Sequence, residues 1–222
     1  MNTWVIANQF GIENLTLEAR EEASLGPHDV RLAIRALSLN YRDYLVITGG
    51  YNPRQPLPLV PLSDGVGEVV AVGSDVTRVA VGDRVAGAFA TDWIEGEPNI
   101  EKLRSTLGSP RDGMAARTVV LPEHGVVHVP SYLTDAEAAT LPCAALTAWN
   151  ALFESGQVKS GDVVLVQGTG GVSLFALQMA HAVGARVIVT SSSDAKLERA
   201  RELGAWQTIN YRSDEQWGKT AR

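Results

Sequence analysis

A nearly continuous apolar stretch, Asp162-Val-Val-Leu-Val-Gln167, runs directly into Gly168-Thr-Gly-Gly-Val-Ser173, and a helix-periodic segment follows at once. An apolar run of that length reads as a strand buried on both faces of a parallel sheet. A glycine-rich turn between such a strand and a helix presents the helix's free N–H groups to an anion. Gly168 allows the tight turn, Gly170 lets the backbone approach a pyrophosphate, and Ser173 is small enough for close helix packing. The spacing is G-x-G-x-x-S, one departure from the dinucleotide-binding pattern, whose third small residue is Gly or Ala. A plain glycine-rich turn with no ligand is the alternative, and the segments that follow weigh against it. A helix over Gly171–Val183 is closed by Gly184, and Arg186–Thr190 reads as a second buried strand. A second helix over Asp194–Leu203 is closed by Gly204, and Trp206–Tyr211 reads as a third strand. That order is a βαβαβ half of a doubly wound parallel sheet.

The preceding part of the chain has another rhythm. Residues 1–130 read as a β domain, and residues 131–222 as connecting helices plus the partial α/β domain. Short strand-like runs at 30–36, 67–72, 83–88, 116–121 and 126–129 are separated by Gly-, Pro- and Asn-rich turns. Residues 91–112 read as a polar loop with a short helix around 100–107. Gly65-Val66-Gly67 also matches G-x-G, but an alternating strand follows it, so it reads as a turn. Thr134-Asp-Ala-Glu137 is a capping box opening one short helix, and a second starts at Pro142 and runs to about Phe153. Ser213-Asp-Glu-Gln216 is another capping box, so a helix is expected from about Asp214. It gets only about two turns before Arg222, as in a C-terminally truncated domain. In the strand order of a complete doubly wound sheet the 162–167 strand is central; without the second half it becomes a bare apolar edge prone to self-association.

Composition narrows the partners. A net charge of −6 over 222 residues leaves no electrostatic footprint for nucleic acid. No apolar run approaches the length of a membrane span, and the N-terminus lacks a signal-peptide pattern, so a cytoplasmic protein is expected. The single cysteine, Cys143, excludes a disulfide framework and any zinc module built on several thiolates.

The second strand ends in Thr190-Ser191-Ser192-Ser193 rather than in the acid that holds an NAD ribose, and Lys196 follows one turn into the next helix. Hydroxyls plus a cation suit a 2′-phosphate, which points to NADP(H); a serine that only caps the helix, with a solvated lysine, is the plainer alternative. Among metal and nucleophile candidates, His124 and His128 stand four apart in a strand-like run and share no helical face. His28 and His181 have no acid or thiol at ligand spacing, and no G-x-S-x-G elbow occurs. Cys143 opens a helix, where a lowered pKa is possible but a buried inert thiol is the commoner outcome.

The β-domain stretches Gly65-Val-Gly-Glu-Val-Val-Ala-Val-Gly73 and Gly82-Asp-Arg-Val85, followed by Gly168-Thr-Gly-Gly-Val-Ser173, resemble the medium-chain dehydrogenase/reductase superfamily over the whole chain. Gly204-Ala-Trp-Gln-Thr-Ile-Asn-Tyr-Arg212 is most similar to its zinc-free quinone oxidoreductase group. The resemblance implies a mixed β and α/β fold: a GroES-like β-barrel domain, then the first half of a Rossmann domain. Where the family's zinc enzymes carry a cysteine and a His-Glu pair, this chain has Asn40 and Ser63-Asp64; only Cys143 remains, and three ligands are needed for a catalytic zinc, so no metal is expected. The family's structural-zinc loop would fall in 91–112, which has no cysteine.

By the same resemblance, Asn40 and Tyr51 line the pocket as orienting groups, with Asn40 beside the nicotinamide and Thr147 also contacting it. The group's other pocket tyrosine is Leu45 here, with Tyr44 beside it. Gly168, Gly170, Gly171 and Val172 form the phosphate turn, and Ser191, Ser192, Lys196 and Tyr211 hold the 2′-phosphate. The function implied is NADPH-dependent reduction of a quinone or an activated C=C. The substrate is a small molecule, and the full-length family is expected to form homo-oligomers. An alcohol dehydrogenase of the same superfamily, and a truncated chain that binds nucleotide with little turnover, remain as alternatives.

Overall fold

A computed structural model describes residues 1–222, which form two compact units, Met1–Cys143 and Ala144–Arg222.

The first unit is built on a curled antiparallel sheet. A hairpin of β1 (Asn2–Ile6) and β2 (Leu15–Ala19) precedes β3 (Asp29–Ser38), and helix α1 (Tyr41–Ile47) follows it. Then come β4 (Asp64–Val72), β5 (Arg84–Gly87), the one-turn helix α2 (Ile100–Leu103), β6 (Thr118–Pro122) and β7 (Val126–His128). The sheet order is β6-β3-β4-β5-β7. Alternation decides which side is wet: Val30 and Leu32 of β3 join Val69, Val85, Met114 and Leu121 in the core, while Arg31 and Arg35 point away from it. Gly65 and Gly67 lie inside β4, not in the turn that the G-x-G pattern suggested. A Cβ on Gly67 would stand 2.7 Å from the Ala33 carbonyl oxygen, beside a register shift in β3. The glycine thus serves close strand approach rather than chain reversal.

The change of period falls at Pro130, whereas the compact unit extends to Cys143 because α3 (Asp135–Ala139) buries Ala138 and Ala139 against Val66 and Ala86. The Thr134–Glu137 capping box opens α3 as expected. A helical run then covers Leu141–Ser155: α4 (Leu146–Trp149) is flanked by wide π-type turns at Leu141–Ala145 and Asn150–Ser155. The β1–β2 hairpin and α1 have no counterpart among the strand-like and helical runs expected from the sequence.

The second unit is the expected βαβαβ: β8 (Val163–Gln167), α5 (Gly171–Ala182), β9 (Arg186–Ser191), α6 (Asp194–Glu202) and β10 (Gln207–Asn210), paired in parallel in the order β10-β9-β8. Leu177 and Ala180 of α5 and Leu197 and Ala200 of α6 pack with Val166, Val187 and Val189. The expectation that β8 is buried on both faces does not hold. β8 is the outer strand of this sheet, and Val163 and Leu165 are 49% and 42% exposed. β9, flanked on both sides, is the buried strand. The helix expected near Asp214 starts later, as α7 (Trp217–Thr220), because the Asp214 carboxylate accepts from Gln216 N and Thr220 Oγ1 and forms a turn first. No helix is long and apolar enough to cross a membrane.

Candidate functional site

The residues expected to bind a nucleotide come together at the C-terminal ends of β8 and β9. Gly168 sits at φ 86°, the left-handed region its role in a tight turn requires, and its N–H donates to the Thr190 carbonyl at 2.9 Å. Gly170 is the N-cap of α5, with no side chain capping the helix. Nothing lies within 4 Å of where a Cβ on Gly168 or Gly170 would stand. The glycine turn at the start of α5 is therefore open on its Cβ side, where a side chain would obstruct a pyrophosphate. Gly171 and the exposed Val172 begin α5, and Ser173 Oγ donates to the Gln167 carbonyl, tying the helix back onto β8.

Ser191 closes the second edge of this cradle. Its Oγ lies 3.4 Å from Thr169 Oγ1 and accepts from Ser193 N, while its carbonyl accepts from Tyr211 N at 3.1 Å. Glycine turn, serine run and Tyr211 are thereby joined by hydrogen bonds. Ser192 is half-buried, and Lys196 is exposed on the first turn of α6. The nearest acid, Asp194, accepts from Asn210 Nδ2 at 2.7 Å. Thr147 lies on α4, one turn beyond Ala144, whose Cβ would stand 3.5 Å from a Cβ on Gly171. These residues fit a dinucleotide: an open anion cradle at a helix N-terminus, hydroxyls at the ribose edge and a nearby cation.

Asn40 and Tyr51 belong to the first unit. Asn40 caps α1, its N–H donating to Asp43 Oδ2 at 2.7 Å; its side-chain amide is buried against the Asp43 and Asp64 carboxyls and favours their charged forms. An Asn-x-x-Asp capping pair is the sequence feature by which α1 could have been found. Ser63 immediately precedes β4 and Asp64 starts it. Ser63 N donates weakly to Asp43 Oδ1, Ser63 Oγ donates to Asp64 Oδ1 at 2.7 Å, and Cys143 N donates to Asp64 Oδ2 at 3.1 Å. The fold thus gathers Asn40, Asp43, Ser63, Asp64 and Cys143. Burial raises the pKa of both Asp43 and Asp64, against the pull of these hydrogen bonds. The Cys143 thiol is pushed up to about 11, by burial first and then by Asp64, so the helix start does not activate it. No three His, Cys, Asp or Glu side chains in the structure are grouped to hold a metal. Tyr51 follows α1, half-exposed, with the Arg42 guanidinium 4.6 Å from its ring centroid.

A βαβαβ unit whose glycine turn opens a helix is the half-sheet that receives a dinucleotide's pyrophosphate at the helix N-terminus. Comparison with known proteins agrees. The family described as alcohol dehydrogenase GroES-like domain matches residues 26–131, and that described as zinc-binding dehydrogenase matches residues 171–222. A zinc-type alcohol dehydrogenase-like protein of Schizosaccharomyces pombe is 50% identical over 95% of this chain and 62% of its own length. A quinone oxidoreductase of Pseudomonas aeruginosa is 37% identical over 90% of this chain and 56% of its own length. The crystal structure of a putative alcohol dehydrogenase from Sinorhizobium meliloti superposes with TM-score 0.89 at 45% identity, covering 98% of this chain and 64% of that one. The chain belongs to the medium-chain dehydrogenase/reductase superfamily. It spans about three fifths of the length of these relatives.

Proposed function

We propose that the protein is a zinc-free oxidoreductase that uses NADPH to reduce a quinone or an activated C=C of an enone or enal. The observation that carries this reading is the Asn40, Ser63, Asp64 and Cys143 cluster. Two of these positions offer an amide and a hydroxyl, and both Asp64 oxygens already accept hydrogen bonds. A catalytic zinc takes three thiolate, imidazole or carboxylate ligands, and this set does not supply them. Without a Lewis acid, alcohol oxidation loses the means of lowering the alcohol's pKa. Reduction of an already polarised acceptor needs chiefly positioning.

NADPH would supply the hydride. The chain's own residues hold and orient: Gly168, Gly170, Gly171 and Val172 receive the pyrophosphate, and Ser191, Ser192, Lys196 and Tyr211 take the 2′-phosphate. Thr147 and Asn40 contact the nicotinamide, and Asn40 and Tyr51 orient the acceptor. Reduction adds one hydride to the acceptor, and the balancing proton comes from water. Cofactor choice is supported by the serine run that closes β9, where no acidic residue stands; Asp194 follows on α6, with Oδ1 accepting from Asn210.

The test is NADPH oxidation against a panel of quinones, enones and alcohols, with elemental analysis of the dialysed protein. Quinone- or enone-dependent NADPH oxidation without stoichiometric zinc is expected. One tightly held zinc per chain, with alcohol oxidation, would overturn the reading in favour of an alcohol dehydrogenase. Stoichiometric NADPH binding without reduction of any acceptor would also count against the reading.

A further inference from the structure

We propose that Arg42 is a positioning residue that sets the ring of Tyr51. Arg42 lies on the first turn of α1 and reaches three other segments of the first unit. Its Nη1 donates to the Leu107 carbonyl at 3.1 Å and its Nη2 to the Ser109 carbonyl at 2.6 Å. Its guanidinium carbon stands 4.6 Å from the Tyr51 ring centroid and 4.9 Å from that of Phe89. A planar cation held at its edge by two carbonyls presents a fixed face to an aromatic ring, which a flexible ammonium cannot do. Tyr51 is half-exposed, and its backbone N–H is tied to the Leu45 carbonyl, so its main chain is held by α1 and its ring rests on Arg42. The consequence for catalysis, that Arg42 governs acceptor binding through Tyr51, rests on the proposed function; the structural role does not.

Nitration of Tyr51 by tetranitromethane, followed by peptide mass spectrometry, reads the structural role without any activity. In Arg42→Met the Tyr51 nitration rate is expected to rise several-fold while circular dichroism is unchanged. If Arg42→Met fails to fold, Arg42→Lys carries the test, because a lysine keeps the charge and loses the two-carbonyl fork; its Tyr51 should also react faster. An unchanged nitration rate in a folded variant would overturn the proposal.

In the reductase assay, Arg42→Met should raise the acceptor KM about tenfold with the NADPH KM unchanged. In a Tyr51→Ala background it should add nothing, since its effect runs through that ring. A further tenfold loss there would show a merely structural role and sink the catalytic part. If the wild type reduces no acceptor, the proposed function falls and the nitration rates still decide the role of Arg42.

Discussion

The Ser63 hydroxyl donates to Asp64 Oδ1 at 2.7 Å, and both side chains are withdrawn from water at the start of β4. This pair stands where the zinc enzymes of the superfamily are expected to carry His-Glu. The carboxylate is occupied from two directions, by Ser63 Oγ and by Cys143 N, and its neighbour Asp43 is a second buried acid. Burial raises both acids' pKa values, so their protonated forms are favoured in the fold. The stability they contribute is full below the unfolded value of 3.8 and is lost as pH rises through their folded values.

Cofactor choice is expected to depend on Lys196. Replacing it by alanine should remove most of the preference for NADPH over NADH, about tenfold or more, because a charge-assisted bond to a phosphate contributes about 1.5–3 kcal/mol. Calorimetric titration of both nucleotides into wild type and Lys196→Ala measures this. Equal wild-type affinities for the two would refute it.

A methyl group added at Gly170 and one added at Gly67 should act differently. Gly170 has an ordinary φ of −80° and open space where a Cβ would stand, so Gly170→Ala should leave the melting temperature nearly unchanged and weaken nucleotide binding. Gly67→Ala would put a Cβ 2.7 Å from the Ala33 carbonyl oxygen and should cost about 1–3 kcal/mol of stability as overpacking. Thermal melts with and without NADPH separate the two effects.

Acid should loosen the β-unit through Glu123. The N–H groups of Thr77 and then Arg78 hold its carboxyl at about 2, well below the ordinary 4.5, with a smaller contribution from His28. A depressed pKa stabilises the fold above 4.5, and that contribution is lost as pH falls from about 4.5 towards 2. The difference in melting temperature between wild type and Glu123→Gln should therefore shrink between pH 5 and pH 2.5. A difference that stays constant over that range would show that the carboxylate charge is irrelevant.

The free side of β8 should make the 222-residue chain self-associate with rising concentration, since Val163 and Leu165 are half-exposed on an outer strand that bears no charge or proline. Leu165→Lys should reduce the association seen in sedimentation velocity. A wild type that stays monomeric throughout the concentration series would contradict this.

The βαβαβ half was legible from the sequence because its devices are local. Gly168, Gly184 and Gly204 each adopt positive φ where the sequence places a turn or helix end, and the apolar runs between them can only be strands or helix faces. The Thr134–Glu137 box and the strand alternation around Leu32 are local in the same sense. What the sequence could not decide is set by residues far apart in the chain. Gly65 and Gly67 look like a turn until β3 packs across them. β8 looks buried until its neighbours are counted, because burial belongs to the sheet and not to the strand. Arg42 is one arginine in a short helix until Leu107, Ser109, Tyr51 and Phe89 close around it. Local preference acts through dihedral angles and periodicity, which the sequence carries directly; close approach, edge exposure and the surroundings of a charge arise only when distant segments share a surface.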